Sequence, residues 1–305
     1  MSHQFSTAVV VGAGTMGHGI AQVLAAAGIA TTLCDLDAAV VARGLDTITQ
    51  NLDAGVSRQK LTAEQRDATL AKLSTSTSPA TVLPAADLLI EAIPERLALK
   101  EALFREADAL MPSAAVLASN TSSLSITQIA AATKHPERVV GLHFFNPVHI
   151  MKLLEIVKSP STSTATLERS LALAAALKKT AIVVNDAPGF ATSRLGICLG
   201  NEAMRMFEQG VASAADIDVA MRLGYGHPMG PLALSDLVGL DVRQHISEGL
   251  HSTLKTDGFA PPSIMKALVA LGHTGKKSGK GFYVWENGEI VGENPAAVEA
   301  AKALR

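Results

Sequence analysis

Ala8-Val9-Val10-Val11-Gly12-Ala13-Gly14-Thr15-Met16-Gly17 is the stretch that decides the fold. Its four leading apolar residues read as a strand, and Thr15–Ala27 reads as a helix that opens directly after it. Between them lies the spacing GxGxxG. Gly12 permits a tight turn, Gly14 lets the backbone approach a pyrophosphate, and Gly17 lets helix and sheet pack closely. The helix start then offers unpaired N–H groups and a positive dipole end to phosphates. A second strand, Thr31–Cys34, ends at Asp35, whose carboxylate suits the two hydroxyls of an adenine ribose. That carboxylate would repel the 2′-phosphate of NADP, so the motif predicts NAD. Its candidate contacts are Gly12, Ala13, Gly14, Thr15, Met16, Gly17 and Asp35, with Met16 read as packing more than contact.

Outward from this motif, short apolar runs alternate with helical patterns. Asp87–Ala92, Ala115–Ser119, Val139–Phe144, Leu153–Val157 and Ala181–Val184 read as strands, and Leu97–Leu110 and Thr164–Lys178 as helices. Such alternation builds a mostly parallel sheet covered on both faces. Residues 38–73 break the rhythm. They are charged and helix-prone, with Thr62 placed to cap, and predict a projecting helical hairpin. Ser74–Thr81 reads as a solvated loop and strand edge. After Asn185-Asp186-Ala187-Pro188-Gly189, a turn signal, only helices are expected up to Leu271. The predicted architecture is α/β, with a Rossmann-like doubly wound sheet domain over residues 1–185. An all-helical domain over 186–305 follows it.

The chain has 305 residues, 48% of them hydrophobic and 18% charged, which suffices for two cored domains. A formal charge of −2 gives no basic face for nucleic acid. Two cysteines, Cys34 and Cys198, sit in apolar contexts and read as buried reduced thiols. No metal-ligand spacing is present. The opening residues lack the pattern of a secretory leader, and no apolar run is long enough to span a membrane. A soluble, cytoplasmic protein is expected.

Two residues stand out in apolar strands: His143 in Val139–Phe145 and Glu155 in Lys152–Val157. A buried carboxylate is costly unless paired. The intervening loop, Asn146–Met151, would return the chain and let the two meet. A histidine held by a carboxylate has one nitrogen fixed as donor and the other suited to take a proton. A structural pair at a strand end is the alternative reading. Glu91, also in an apolar strand, has no explanation from sequence.

With these residues in view, the chain resembles the 3-hydroxyacyl-CoA dehydrogenases, most closely their short stand-alone 3-hydroxybutyryl-CoA type. The resemblance rests on Val11–Gly17, Glu91-Ala-Ile-Pro-Glu95, Ser119-Asn-Thr-Ser-Ser123 and His143-Phe-Phe-Asn-Pro147. Asp186-Ala-Pro-Gly-Phe190, Gly230-Pro-Leu-Ala-Leu-Ser-Asp236 and Gly275–Tyr283 continue it. It implies NAD-dependent, reversible oxidation of a (S)-3-hydroxyacyl-CoA by hydride transfer. His143 would be the base, Glu155 its orienting partner, Ser122 a hydrogen-bond partner of the reacting oxygen, and Asn146 part of the same site. Glu95, Lys100 and Lys277 match cofactor-contacting positions. Against each stands a plainer reading: Ser122 as a cap for the next helix, Lys100 as a solvated helix residue, and Lys276, Lys277 and Lys280 as a charged tail. The family also implies a homodimer through the helical domain and closure of the two domains over substrate.

Two departures from the family pattern are visible. Ser193 stands where an asparagine usually faces the substrate. Asn51 and Arg58, with Lys60 close by, fall where a basic residue usually meets the CoA phosphates. The rival readings are a crystallin-like sugar-acid dehydrogenase and a non-catalytic NAD-binding structural protein.

Overall fold

The computed structural model describes residues 5–305, which divide into two compact units, one ending at Ala187 and the other running from Pro188 to Arg305.

The first unit is an eight-stranded sheet in the order β3-β2-β1-β4-β5-β6-β7-β8. Its strands are β1 (Thr7–Val11), β2 (Ala30–Cys34), β3 (Leu73–Ser76), β4 (Leu88–Glu91), β5 (Val116–Ser119), β6 (Val139–Phe144), β7 (Leu153–Lys158) and β8 (Thr180–Asn185). All neighbours are parallel except β6 and β7. The central strands β4, β5 and β6 are buried along their whole length, as expected where helices cover both faces. Every residue of the edge strands β3 and β8 is half-buried or exposed. The chain leaves β1 toward β2 on one side and finds β4 on the other. That switch of direction opens a crevice at the carboxyl ends of β1 and β4.

The helices of this unit are α1 (Gly17–Ala26), α2 (Ala38–Ser57), α3 (Ala63–Leu70), α4 (Pro79–Val82), α5 (Leu97–Leu110), α6 (Ile126–Ala131) and α7 (Thr164–Ala176). The predicted helical hairpin is α2 and α3. Its α2 buries Val41, Ile48 and Leu52, and both helices pack against α1. Thr62 caps α3 reciprocally with Gln65, satisfying two helix-end donors. Helix α6 is capped by Ser125, which accepts from the Gln128 N–H. That assigns the capping role to Ser125, not to Ser122.

The second unit carries α8 (Thr192–Gln209), α9 (Ala214–Gly224), α10 (Pro231–Val238), α11 (Leu240–Leu254), α12 (Ser263–Ala270) and α13 (Pro295–Leu304). It is helical but not all-helical. β9 (Tyr283–Glu286) and β10 (Glu289–Glu293) form an antiparallel hairpin around Asn287-Gly288. Both turn residues have positive φ, the geometry that Asn-Gly favours. The hairpin is tied to the helices by buried Asp236. Its carboxylate accepts from the Phe282 and Tyr283 N–H groups at 2.9 Å and from Trp285 Nε1 at 3.0 Å. Phe282 and Tyr283 enter the core beside Met204, Phe207, Leu232 and Leu268. The basic stretch after Gly275 is therefore a turn leading into this hairpin rather than a loose tail. Cys34 is buried, whereas Cys198 is exposed. It lies on α8 beside the inward-facing Ile197, Gly200 and Asn201, one helical step out of the buried stripe.

Candidate active site

The glycine loop is shaped by steric necessity. Gly12 has φ +102°, and a Cβ there would lie 2.5 Å from the Ala92 carbonyl oxygen at the end of β4. A Cβ on Gly17 would lie 1.6 Å from the Gly12 carbonyl oxygen. At Gly14 nothing comes within 4 Å of that position. Loop residues Gly14 and Thr15 are exposed, and no side chain among the described residues caps α1. An open, uncapped helix start of this kind fits a diphosphate. Asp35 accepts from the Ala13 N–H at 2.9 Å, so the same carboxylate that suits a ribose also ties the loop to β2. These features fit the NAD that the motif predicts.

Across the sheet, strands β6 and β7 place His143 directly opposite Glu155 in the antiparallel ladder. His143 Nδ1 lies 2.8 Å from Glu155 Oε2. Glu155 is fully buried and His143 is 7% exposed. The pairing follows from the ladder, since directly opposed residues share a face. Phe145 stacks at a tilt on the His143 ring, with centroids 4.5 Å apart. Asn120, which the sequence did not single out, accepts from the Phe144 N–H at 2.9 Å and fixes the end of β6. The Asn146 side of the loop is exposed. Lys179 closes the loop by donating to the carbonyls of Val148 and Met151.

A polar cluster, buried at Glu91, Lys100, Ser119 and Thr121 and open to solvent at Glu95 and Ser123, lies at the carboxyl ends of β4 and β5. Lys100, 1% exposed on α5, donates to Glu91 Oε1 at 2.5 Å and to the Ile93 carbonyl at 3.2 Å, and pairs with Glu95 Oε2 at 3.1 Å. Its ammonium is thus held by protein groups on three sides. That revises the solvated reading of Lys100. Glu91, fully buried, also accepts from Ser119 Oγ at 2.6 Å and from the Ile93 N–H at 2.8 Å. Burial pushes the Glu91 carboxyl above the ordinary range, against the pull of Lys100, Ser119 and Ile93. Glu95 accepts from the Thr121 hydroxyl, the Ser122 N–H at 3.1 Å and the Ser123 hydroxyl at 3.2 Å. Burial raises the Glu95 carboxyl as well, but Lys100 and these donors outweigh it and hold it below its ordinary value. Ser122 is therefore carried on a turn gripped by Glu95.

The remaining predicted positions are scattered. Asn51, on α2, donates to Gln22 Oε1 at 3.2 Å, while Arg58 and Lys60 are exposed at the C-terminal end of that helix. In the second unit, Ser193 lies in the first turn of α8, and half-exposed Lys277 pairs with Asp241 at 2.6 Å. No cluster of three or more metal-ligating side chains occurs among the described residues, and no helix there is long and apolar enough to cross a membrane.

Known proteins share this fold. The family described as 3-hydroxyacyl-CoA dehydrogenase, NAD binding domain, matches residues 7–187, and the corresponding C-terminal domain matches residues 189–285. A probable 3-hydroxybutyryl-CoA dehydrogenase from Bacillus subtilis is 42% identical over 278 residues, covering 91% of this chain and 96% of that protein. The mitochondrial hydroxyacyl-coenzyme A dehydrogenase of Sus scrofa is 43% identical over 284 residues, covering 91% and 90%. The crystal structure of (S)-3-hydroxybutyryl-CoA dehydrogenase from Ralstonia eutropha superposes with a TM-score of 0.89 at 39% identity, covering 93% of this chain and all of that one. Fold, glycine loop and both matched domains place the chain in the 3-hydroxyacyl-CoA dehydrogenase family, to which it belongs as an NAD-dependent oxidoreductase.

Proposed function

We propose that this enzyme reversibly oxidises the 3-hydroxyl of a short-chain (S)-3-hydroxyacyl-CoA, 3-hydroxybutyryl-CoA foremost, to the ketone. The observation that carries the reading is the buried His143–Glu155 pair, 2.8 Å apart, in a sheet that also bears the dinucleotide loop. Bound NAD supplies the hydride acceptor for C3. With Nδ1 held by Glu155, His143 takes the hydroxyl proton at Nε2, and Glu155 stabilises the imidazolium that results. In the reverse direction His143 returns that proton to the alkoxide oxygen. General acid–base work of this type contributes about 10²–10⁴-fold. Ser122 hydrogen-bonds the reacting oxygen, and Asn146 belongs to the same site.

The unit ending at Ala187 binds the cofactor through Gly12–Gly17, Asp35 and Glu95. In the helical unit, Ser193 on α8 and Lys277 match the family positions for substrate and cofactor. Arg58, at the C-terminal end of α2, and Asn51, two turns earlier on that helix, serve the CoA phosphates. Leu195, Leu223 and Tyr225 are more than two-thirds exposed on the helical unit, which supports a homodimer formed there. We place the enzyme in the cytoplasm.

The test is NADH consumption with acetoacetyl-CoA, run beside NADPH and a longer 3-ketoacyl-CoA. Fast turnover with NADH and acetoacetyl-CoA is expected. Turnover on sugar acids in place of any thioester would move the chain to the rival dehydrogenase branch. NADH binding without turnover on either class would leave the non-catalytic reading.

A further inference from the structure

We infer that Glu91 is a positioning residue: it fixes the Thr121–Ser123 turn, and so Ser122, from two directions at once. This rests on the reading that Ser122 meets the reacting oxygen.

The register of the sheet sets Val11, Glu91, Ser119 and Gly141 in one row across β1, β4, β5 and β6. The row lies at the carboxyl ends of the strands, where the crevice opens. An apolar residue at position 91 would complete β4 without any desolvation penalty, and a buried ion pair is by itself weak support for stability. What the carboxylate does here is connect.

One route leaves Glu91 Oε1. It accepts from Lys100, and Lys100 in turn pairs with Glu95 Oε2. The other Glu95 oxygen takes the Thr121 hydroxyl, the Ser122 N–H and the Ser123 hydroxyl. A second route leaves Glu91 Oε2. Ser119 Oγ donates to it and accepts from the Thr121 N–H at 3.3 Å. The two routes converge on the same three-residue turn. Most of the links are charge-assisted hydrogen bonds, which are short and directional. Within the turn, Thr121 Oγ1 further accepts from the N–H groups of Ser123 and Leu124. Shifting Ser122 therefore requires breaking bonds that trace back to one carboxylate.

The experiment is a double-mutant cycle on the full-length enzyme with acetoacetyl-CoA and NADH both saturating. Glu91→Met/Lys100→Met replaces the buried pair by neutral chains of similar length. Ser122→Ala removes the hydroxyl that the network is held to place. The expected result is a loss of kcat of about tenfold or more for each alone. In the Ser122→Ala background the paired substitution should then change kcat by less than about twofold, because interacting sites are non-additive. Losses that multiply would overturn the positioning role, since a merely structural pair acts regardless of Ser122. A Ser122→Ala enzyme with unchanged kcat would instead sink the reading of Ser122 itself, and the proposal with it. Should the paired variant fail to fold, Glu91→Gln taken through the same cycle gives the same decision.

Discussion

Glu155→Gln isolates the charge of the proposed catalytic pair. The amide oxygen of a glutamine can still accept from His143 Nδ1–H, so the 2.8 Å contact and the ring orientation survive. Only the negative charge is lost. Its effect differs along the reaction, because His143 begins neutral in the oxidation direction and ends as an imidazolium. Two unit charges about 4 Å apart attract by about 4 kcal/mol at an effective dielectric of about 20. Both groups are shielded from solvent, with Glu155 fully buried, so this interaction escapes most screening. With half to all of the imidazolium charge developed at the barrier, the loss is about 2–4 kcal/mol, or roughly 30- to 1000-fold in kcat. KM for the acyl-CoA should change little, because the interaction is gained in the transition state and not on binding. Steady-state oxidation of 3-hydroxybutyryl-CoA, followed by NADH formation, measures it, and NADH affinity and thermal stability serve as controls. A variant that binds NADH normally, melts normally and loses less than about threefold in kcat would refute the role assigned to the Glu155 charge.

Other perturbations probe the cofactor loop and the hairpin. Asp35→Ser should raise KM for NADH by about 10- to 100-fold, the worth of hydrogen bonds to a charged group at about 1.5–3 kcal/mol, and should narrow the preference over NADPH; initial rates with both cofactors decide it. Gly17→Ala drives a methyl group into the Gly12 carbonyl, so a loss of about 3 kcal/mol or more in denaturant unfolding is expected, together with lost NADH binding. Burial pushes the fully buried Asp236 carboxyl up to about 6, so the folded state holds this proton more tightly than the unfolded chain does. Its contribution to stability is present below about pH 4 and is lost as pH rises through about 6. Unfolding curves of wild type and Asp236→Asn should therefore diverge in slope across that window, with about 3 kcal/mol at stake, and parallel pH dependences would contradict the assignment.

The polar residues that interrupt apolar strands were legible because burial makes them costly. His143, Glu155 and Glu91 all announce themselves in this way. What sequence could not supply was the partner. The link between Glu91 and Lys100 requires knowing that α5 folds back over the end of β4, and Lys100 alone on a helix reads as solvated. Asn120 was hidden because its bond to the Phe144 N–H joins the ends of two adjacent strands 24 positions apart. Asp236 meets the hairpin 46 and 47 positions later, and nothing local marks it. The hairpin itself did carry a signal, Asn287-Gly288 between the short runs Tyr283–Trp285 and Ile290-Val291, which the helical rhythm of the preceding segments obscured. Cys198 shows the complementary limit: an apolar neighbourhood in sequence does not say which side of a helix points inward.

The antiparallel step between β6 and β7 makes the loop that joins them a separable module. A slip of one residue in that ladder would turn Glu155 to the opposite face and leave His143 without its carboxylate. The pair is thus encoded in strand register, while beyond Phe145 and Asn146 the six residues from Pro147 to Lys152 bring the chain back. Grafting a different stretch there, with Phe145 and Asn146 kept, should alter what the site admits without altering how it handles the proton, provided the rungs on either side stay in step.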